Sequence, residues 1–181
     1  MLTFQKSQNQ MQRLNRLDWY PDELSENIRQ FNEMVQDIRE KDQEAEEQKA
    51  KANATEATPP DQLREAAQRA KDLEYESIQL QLQAARFFRD NIQQQMRDAK
   101  HREAERRMAA RNKLHQEKKR ELINIGMENP IEADRIAADL KPLKDENSKV
   151  REVENLTLPG YGADEVISAL ENAVSEAAAT L

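Results

Sequence analysis

The chain has no cysteine, which excludes disulfide bonds, thiolate nucleophiles and cysteine-held zinc. Glycine is almost as scarce, with Gly126, Gly160 and Gly162 the only three among 181 residues. A glycine-rich phosphate cradle needs several glycines in one short loop, so that mode of nucleotide binding is excluded as well. Aromatic residues make up 4% of the chain, whereas 35% of residues are charged. Such a composition cannot fill a thick globular core. It can fill thin ones, in which each helix buries a single apolar stripe. No apolar run is long enough to cross a membrane, and the first 17 residues lack the apolar stretch of a signal peptide. The expected location is the cytoplasm on synthesis, and a virion or other large assembly if the source is a virus. On that reading the sequons Asn53-Ala54-Thr55 and Asn155-Leu156-Thr157 match by chance.

Groups that carry chemistry are equally sparse. The two histidines, His101 and His115, stand about 21 Å apart along a straight helix and cannot share a metal ion there. Asp98 and His101 form one D-x-x-H pair, where a di-iron bundle needs two such motifs and further facing carboxylates. The pair also sits in an arginine-rich segment that repels a cation. No nucleophile stands in a recognisable pattern with a base, and the carboxylates read as helix-face charge without an apolar pocket. The expectation is a non-enzymatic protein with no cofactor and no metal.

What the sequence does contain is helix-forming residues. From Asp61 to Ile125 there are 65 consecutive residues without glycine or proline, filled with Gln, Glu, Arg, Ala, Leu and Lys. One helix of that length would reach about 98 Å. The prolines and glycines punctuate the rest. The spacing predicts helices over 3–17, 21–57, 61–126, 130–140 and 163–180. Pro21 starts one, Pro59-Pro60 makes a turn, Gly126 ends the long helix, and Asn129-Pro130 caps the next. Pro142 and Pro159-Gly160-Tyr161-Gly162 bound an irregular connector. The fold class expected is all-α, an antiparallel hairpin or coiled coil of 21–57 with 61–126 plus short helices. By segment, 1–20 is an N-terminal helix, 21–126 the hairpin, 127–162 a short helix with its connector, and 163–181 an amphipathic C-terminal helix.

The hairpin rests on an apolar rhythm. Leu24, Ile28, Phe31, Val35 and Ile38 alternate steps of four and three, a coiled-coil seam. Ile78, Leu82, Ala85, Ile92 and Met96 repeat it, with Phe88 beside the missing position. Folding at Pro59-Pro60 sets residue x against about 119 − x, which brings Phe31 opposite Phe88 and Leu24 near Met96. Pairs four apart, such as Asp37–Lys41, Glu47–Lys51 and Glu65–Arg69, are expected to support each helix. The N-terminal segment offers Phe4, Met11, Leu14 and Leu17 to a further face.

Charge is uneven. Residues 22–58 carry 11 acids against 5 bases, and 121–181 carry 13 against 5. Between them, residues 97–120 carry 10 bases against 4 acids. Lys100, Arg102, Arg106, Arg107, Arg111, Lys113, Lys118, Lys119 and Arg120 form a basic face that docks on acidic protein, remains solvated, or tracks nucleic acid. The run holds no aromatic residue and no groove-reading motif, so nucleic acid is the less favoured partner. Trp19, Tyr20, Leu156, Leu158, Tyr161, Ile167, Leu170 and Val174 are apolar groups outside the seams, candidates to anchor a partner.

The function expected is that of a multi-copy structural or assembly protein, with its own copies and other subunits as partners. A virus or phage particle and a secretion or motility apparatus are the settings in view. The alternatives are a nucleic-acid-associated protein using 97–120, and a cytoplasmic adaptor or assembly chaperone using the terminal helix.

Overall fold

In the computed structural model, residues 2–54 and 58–181 are described, with side chains from residue 5 onward. The protein is all-α. The elements are α1 (Leu2–Leu14), α2 (Leu24–Ala52), α3 (Pro60–Phe88), a π-helical segment (Arg89–Gln93), α4 (Gln94–Asn124), α5 (Pro130–Asp139), α6 (Lys141–Glu154) and α7 (Asp164–Ala179). The helical backbone runs unbroken for 65 residues through α3, the π segment and α4. Neither glycine nor proline interrupts it past Pro60, which takes the first helical position where its missing N–H costs nothing.

Most sequence boundaries fall within a few residues of these. The first long helix begins at Leu24 rather than 21, after a turn at Pro21–Glu23. It ends at Ala52, Asn53 and Ala54 are non-helical, and 55–57 lie outside the described residues. Gly126 stops α4 at φ 105°, with its own N–H donating to Ile123 O and that of Met127 to Leu122 O, the paired bonds of a Schellman ending. Asn129 caps α5 by accepting from Ile131 N at 3.0 Å.

The connector needs correcting. Residues 141–154 form the helix α6, not an irregular segment. Pro142 reads in sequence as the stop of α5, but it occupies the first turn of α6, where proline is tolerated. Only Leu140 is extended between the two helices (ψ 139°). Leu143, Val150 and Val153 share the buried stripe that justifies α6.

The chain divides into two compact units. The first comprises Met1–Asn15, Pro21–Gln95 and Pro159–Leu181; the second comprises Arg16–Tyr20 and Met96–Leu158. The segment 21–126 is thus shared between them.

In the first unit α2 and α3 pack antiparallel. Asn27 donates to Asn91 O (3.0 Å), Phe31 meets Phe88 (centroids 5.1 Å), Lys41 pairs with Glu76 (2.8 Å), and Lys49 with Glu74 (2.5 Å). Partner numbers fall as numbers on α2 rise. Lys41 and Arg69 reach across, Arg69 to Glu44 at 3.4 Å, instead of forming the within-helix pairs expected with Asp37 and Glu65. A long side chain flanking a buried seam finds the facing helix as readily as its own next turn. Helix α1 lies on α2 through Gln8, hydrogen-bonded to Asn32 and Arg39, and buries Met11 and Leu14; Leu17 lies beyond its end, and the Phe4 side chain is outside the described residues.

Leu24, Ile28, Phe31, Val35 and Ile38 are buried. On the facing side Leu82, Ala85, Phe88, Ile92 and Met96 are buried too, but Ile78 is only half-buried and Ser77 takes its place. The cause is the π segment. Its wide turn holds one residue more than an α turn. A seam extrapolated backwards from Ile92 therefore lands one residue late, at 89, 85 and 78, where Phe88, Ala84 and Ser77 are buried; Leu82 and Ala85 are buried beside that stripe.

Candidate functional site

Phe31, Phe88 and Tyr161 form an edge-to-face aromatic cluster, with centroid distances of 5.1, 5.3 and 6.1 Å. The Tyr161 hydroxyl donates to Gln81 O at 3.0 Å, and burial pushes its pKa upward. Next in sequence, Gly162 lies against the start of the π segment. A Cβ there would come within 2.6 Å of Arg89 N and 2.9 Å of Phe88 Cδ1, so this approach requires glycine. Asn91 Nδ2 donates to Phe87 O and Asn27 Nδ2 to Asn91 O, supplying partners for carbonyls around the widened turn. Tyr161 and Ile167 are thus taken up inside the first unit, not offered outward as anchors. Helix α7 packs on α3, where Arg86 pairs with Glu171 at 2.7 Å; Leu170 and Val174 are half-buried.

In the second unit α5 and α6 return along α4. His115 meets Asp134 at 2.6 Å, and Lys119 approaches the same carboxylate at 3.6 Å. Farther back, Arg111 donates to Asn147 (3.4 Å) and Arg107 to Lys149 O (2.8 Å) and Glu152 (3.2 Å). Lys100 donates to Leu156 O at 3.0 Å. Partner numbers again fall as numbers on α4 rise, the sign of an antiparallel return.

This arrangement disposes of much of the basic face. Lys100, Arg107, Arg111, Lys118 and Lys119 are half-buried and engaged by groups of the same chain, Lys118 by Glu121 at 2.9 Å. Arg106 and Arg107 both hold Glu103, whose side chain is only 5% exposed. The Arg106 hydrogen bond, then that from Arg107, keeps the Glu103 carboxyl below the usual carboxylate range against the opposing effect of burial. Asp134 is lowered chiefly by its hydrogen bond with His115. Arg102, Lys113 and Arg120 are exposed, interspersed with exposed Glu105, Glu117 and Glu121. On the returning chain the acids that engage the basic run are Asp134 and Glu152; the other partners there are neutral, Asn147 and the carbonyls of Lys149 and Leu156.

Two apolar features remain on this unit. The first is a groove of about 650 Å³ lined by Ala104, Met108, Leu156 and Leu158 together with Arg97, Lys100, His101, Glu105 and Glu154. Met108 is 38% exposed, and Leu156 and Leu158 are half-buried. The second is the elbow between α4 and α5. It exposes Ile123 at 41%, Ile125 at 80% and Ile131 at 79%. In the sequence this region served only to place the helix end at Gly126. The signal that was available is that three isoleucines flank a glycine stop and an Asn-Pro cap, where few neighbours can cover them. Trp19 and Tyr20 are half-buried; the Tyr20 hydroxyl is buried without a hydrogen-bond partner among the described residues, and burial raises its pKa.

Among the described residues no three His, Asp or Glu side chains gather so as to hold a metal ion, and no helix is long and apolar enough to cross a membrane. Compared with protein-family models, curated proteins and solved structures, the chain matches none.

Proposed function

We propose that this is a non-enzymatic structural protein that works by packing helices into an assembly of several copies or subunits, of the kind found in virus or phage particles and in secretion or motility machines. The observation that carries the reading is the elbow, where Ile125 and Ile131 are each about four-fifths exposed. A single exposed isoleucine needs no explanation, but three exposed within nine residues of sequence support a contact with another protein. The thin cores support the same reading. Association supplies burial that a chain of this composition lacks by itself.

The nucleic-acid alternative is less well supported, because the inward bases already have partners within the chain and the outward ones alternate with acids. Sedimentation velocity over a wide concentration range tests the proposal. A mass that exceeds one chain and rises with concentration is expected. A single-chain mass throughout would overturn self-assembly.

A further inference from the structure

Each residue turns an α-helix by about 100°, and α3 carries two stripes set that far apart. The first runs through Ala70, Leu73, Ser77, Ala84 and Phe88, all buried, with Ser77 and Phe88 meeting Asp42 and Phe31 of α2. The second runs through Ile78, Leu82, Ala85 and Arg89. Gln81 and Arg86 flank this second stripe, and they hold Tyr161 (3.0 Å) and Glu171 (2.7 Å). The chain from Tyr161 into α7 therefore lies over it. The π segment decides which stripe α2 receives. With an α turn in its place, every upstream residue moves by one position: Ile78 stands where Ser77 stands, Leu82 at Gln81 and Arg89 at Phe88.

We propose that the strap Pro159–Gly162, together with α7, is a latch that holds α3 in one of two registers against α2. Its release lets the π segment close to an α turn, which rotates α3 by about 100°. The exchange sets gains against losses. Rotation brings isoleucine and leucine to the seam in place of serine and glutamine, but it replaces Phe88 by Arg89 and breaks the aromatic cluster. Such an equilibrium is turned by whatever binds one state better. The strap fits only the π state. Tyr161 sets its ring against both Phe31 and Phe88, which requires Phe88 in the seam. Gly162 lies so close that a Cβ would come within 2.6 Å of Arg89 N. Asn27 and Asn91 serve the same state by donating to Asn91 O and Phe87 O at the wide turn. Capture of the strap by a partner is thereby coupled to the face that α3 turns to α2. The device lies wholly within the first unit and does not depend on the elbow.

A chain without cysteine allows a clean disulfide reporter. One form of the full chain carries Asp42→Cys with Ser77→Cys, positions hydrogen-bonded to each other in the structure. The other carries Asp42→Cys with Ile78→Cys. Each is oxidised in dilute solution, the bridged fraction is read by mass spectrometry, and circular dichroism follows the helix content. With the strap intact, the 42–77 bridge should exceed the 42–78 bridge severalfold. In a strap variant, Tyr161→Ala with Gly162→Val, the 42–78 bridge should become the larger. Arg89→Leu removes the one polar residue of the second stripe and should raise the 42–78 bridge even with the strap in place. A strap variant that keeps both its helix and the parent's preference overturns the proposal. Loss of both bridges with the helix retained also overturns it, since the strap would then clamp the hairpin without setting its register. If the strap variant unfolds, Arg89→Leu decides alone, and an unchanged preference there overturns the proposal.

Discussion

Gly162 is the residue whose identity the structure constrains most tightly. Its missing Cβ lets the chain after Pro159 approach the backbone at Arg89, which carries Tyr161 into contact with Phe31 and Phe88. Gly162→Ala forces either that backbone or the Phe88 ring to move, and a destabilisation of about 1–3 kcal/mol is expected in urea unfolding. Glu103 makes a second prediction. With its folded pKa below the ordinary value of about 4.5, its pairing with Arg106 and Arg107 contributes fully above that value and is lost as pH falls through the lowered one. Glu103→Gln should therefore cost stability at neutral pH, about 1.5–3 kcal/mol by the usual worth of hydrogen bonds to charged groups. The gap between variant and wild type in thermal unfolding should close on acidification. A gap of constant size down to the lowest pH at which the protein stays folded would show that the charge of Glu103 is not what matters.

At the scale of elements, the pairing of α2 with α3 was legible in the sequence because its cause is periodic. Leu24, Ile28, Phe31, Val35 and Ile38 repeat at coiled-coil spacing, and the prolines at 59 and 60 locate the turn. Two things broke the reading elsewhere. The π segment adds a residue to one turn, and no composition signal marks it, so Ile78 was placed in the seam that Ser77 occupies. Proline is ambiguous at Pro142, since it ends one helix and begins the next with equal ease, and this hid α6. The basic face was visible as charge, but the partners of Arg107, Arg111 and Lys119 include groups on that hidden helix and on α5, so their destination was not. The elements yield their own predictions. Phe31→Ala opens the aromatic cluster from the α2 side and should cost about 3–5 kcal/mol. Because Lys100, Arg107, Arg111, Lys118 and Lys119 are engaged by the chain itself, a filter-binding titration should find little nucleic acid retained even at low salt. Tight binding that falls steeply with salt would reverse that conclusion.

For the whole molecule, one device is used in each unit: a helix is covered by chain that returns antiparallel to it, and in the first unit α7 packs on α3 as well. In the first unit α3 is paired with α2 around Phe31, Phe88 and Tyr161. In the second, α4 is covered by α5 and α6 through His115, Arg111, Arg107 and Lys100. Covering a helix on one face leaves its other faces for something else, and at the α4–α5 elbow that remainder is aliphatic. The central claim is that this remainder joins copies of the chain. It is tested most directly by the molecular mass of the intact protein in solution as its concentration is raised. The account predicts a mass climbing above that of one chain, and falling back to it when Ile125 and Ile131 become aspartate. A wild-type mass fixed at one chain across the whole range would contradict it.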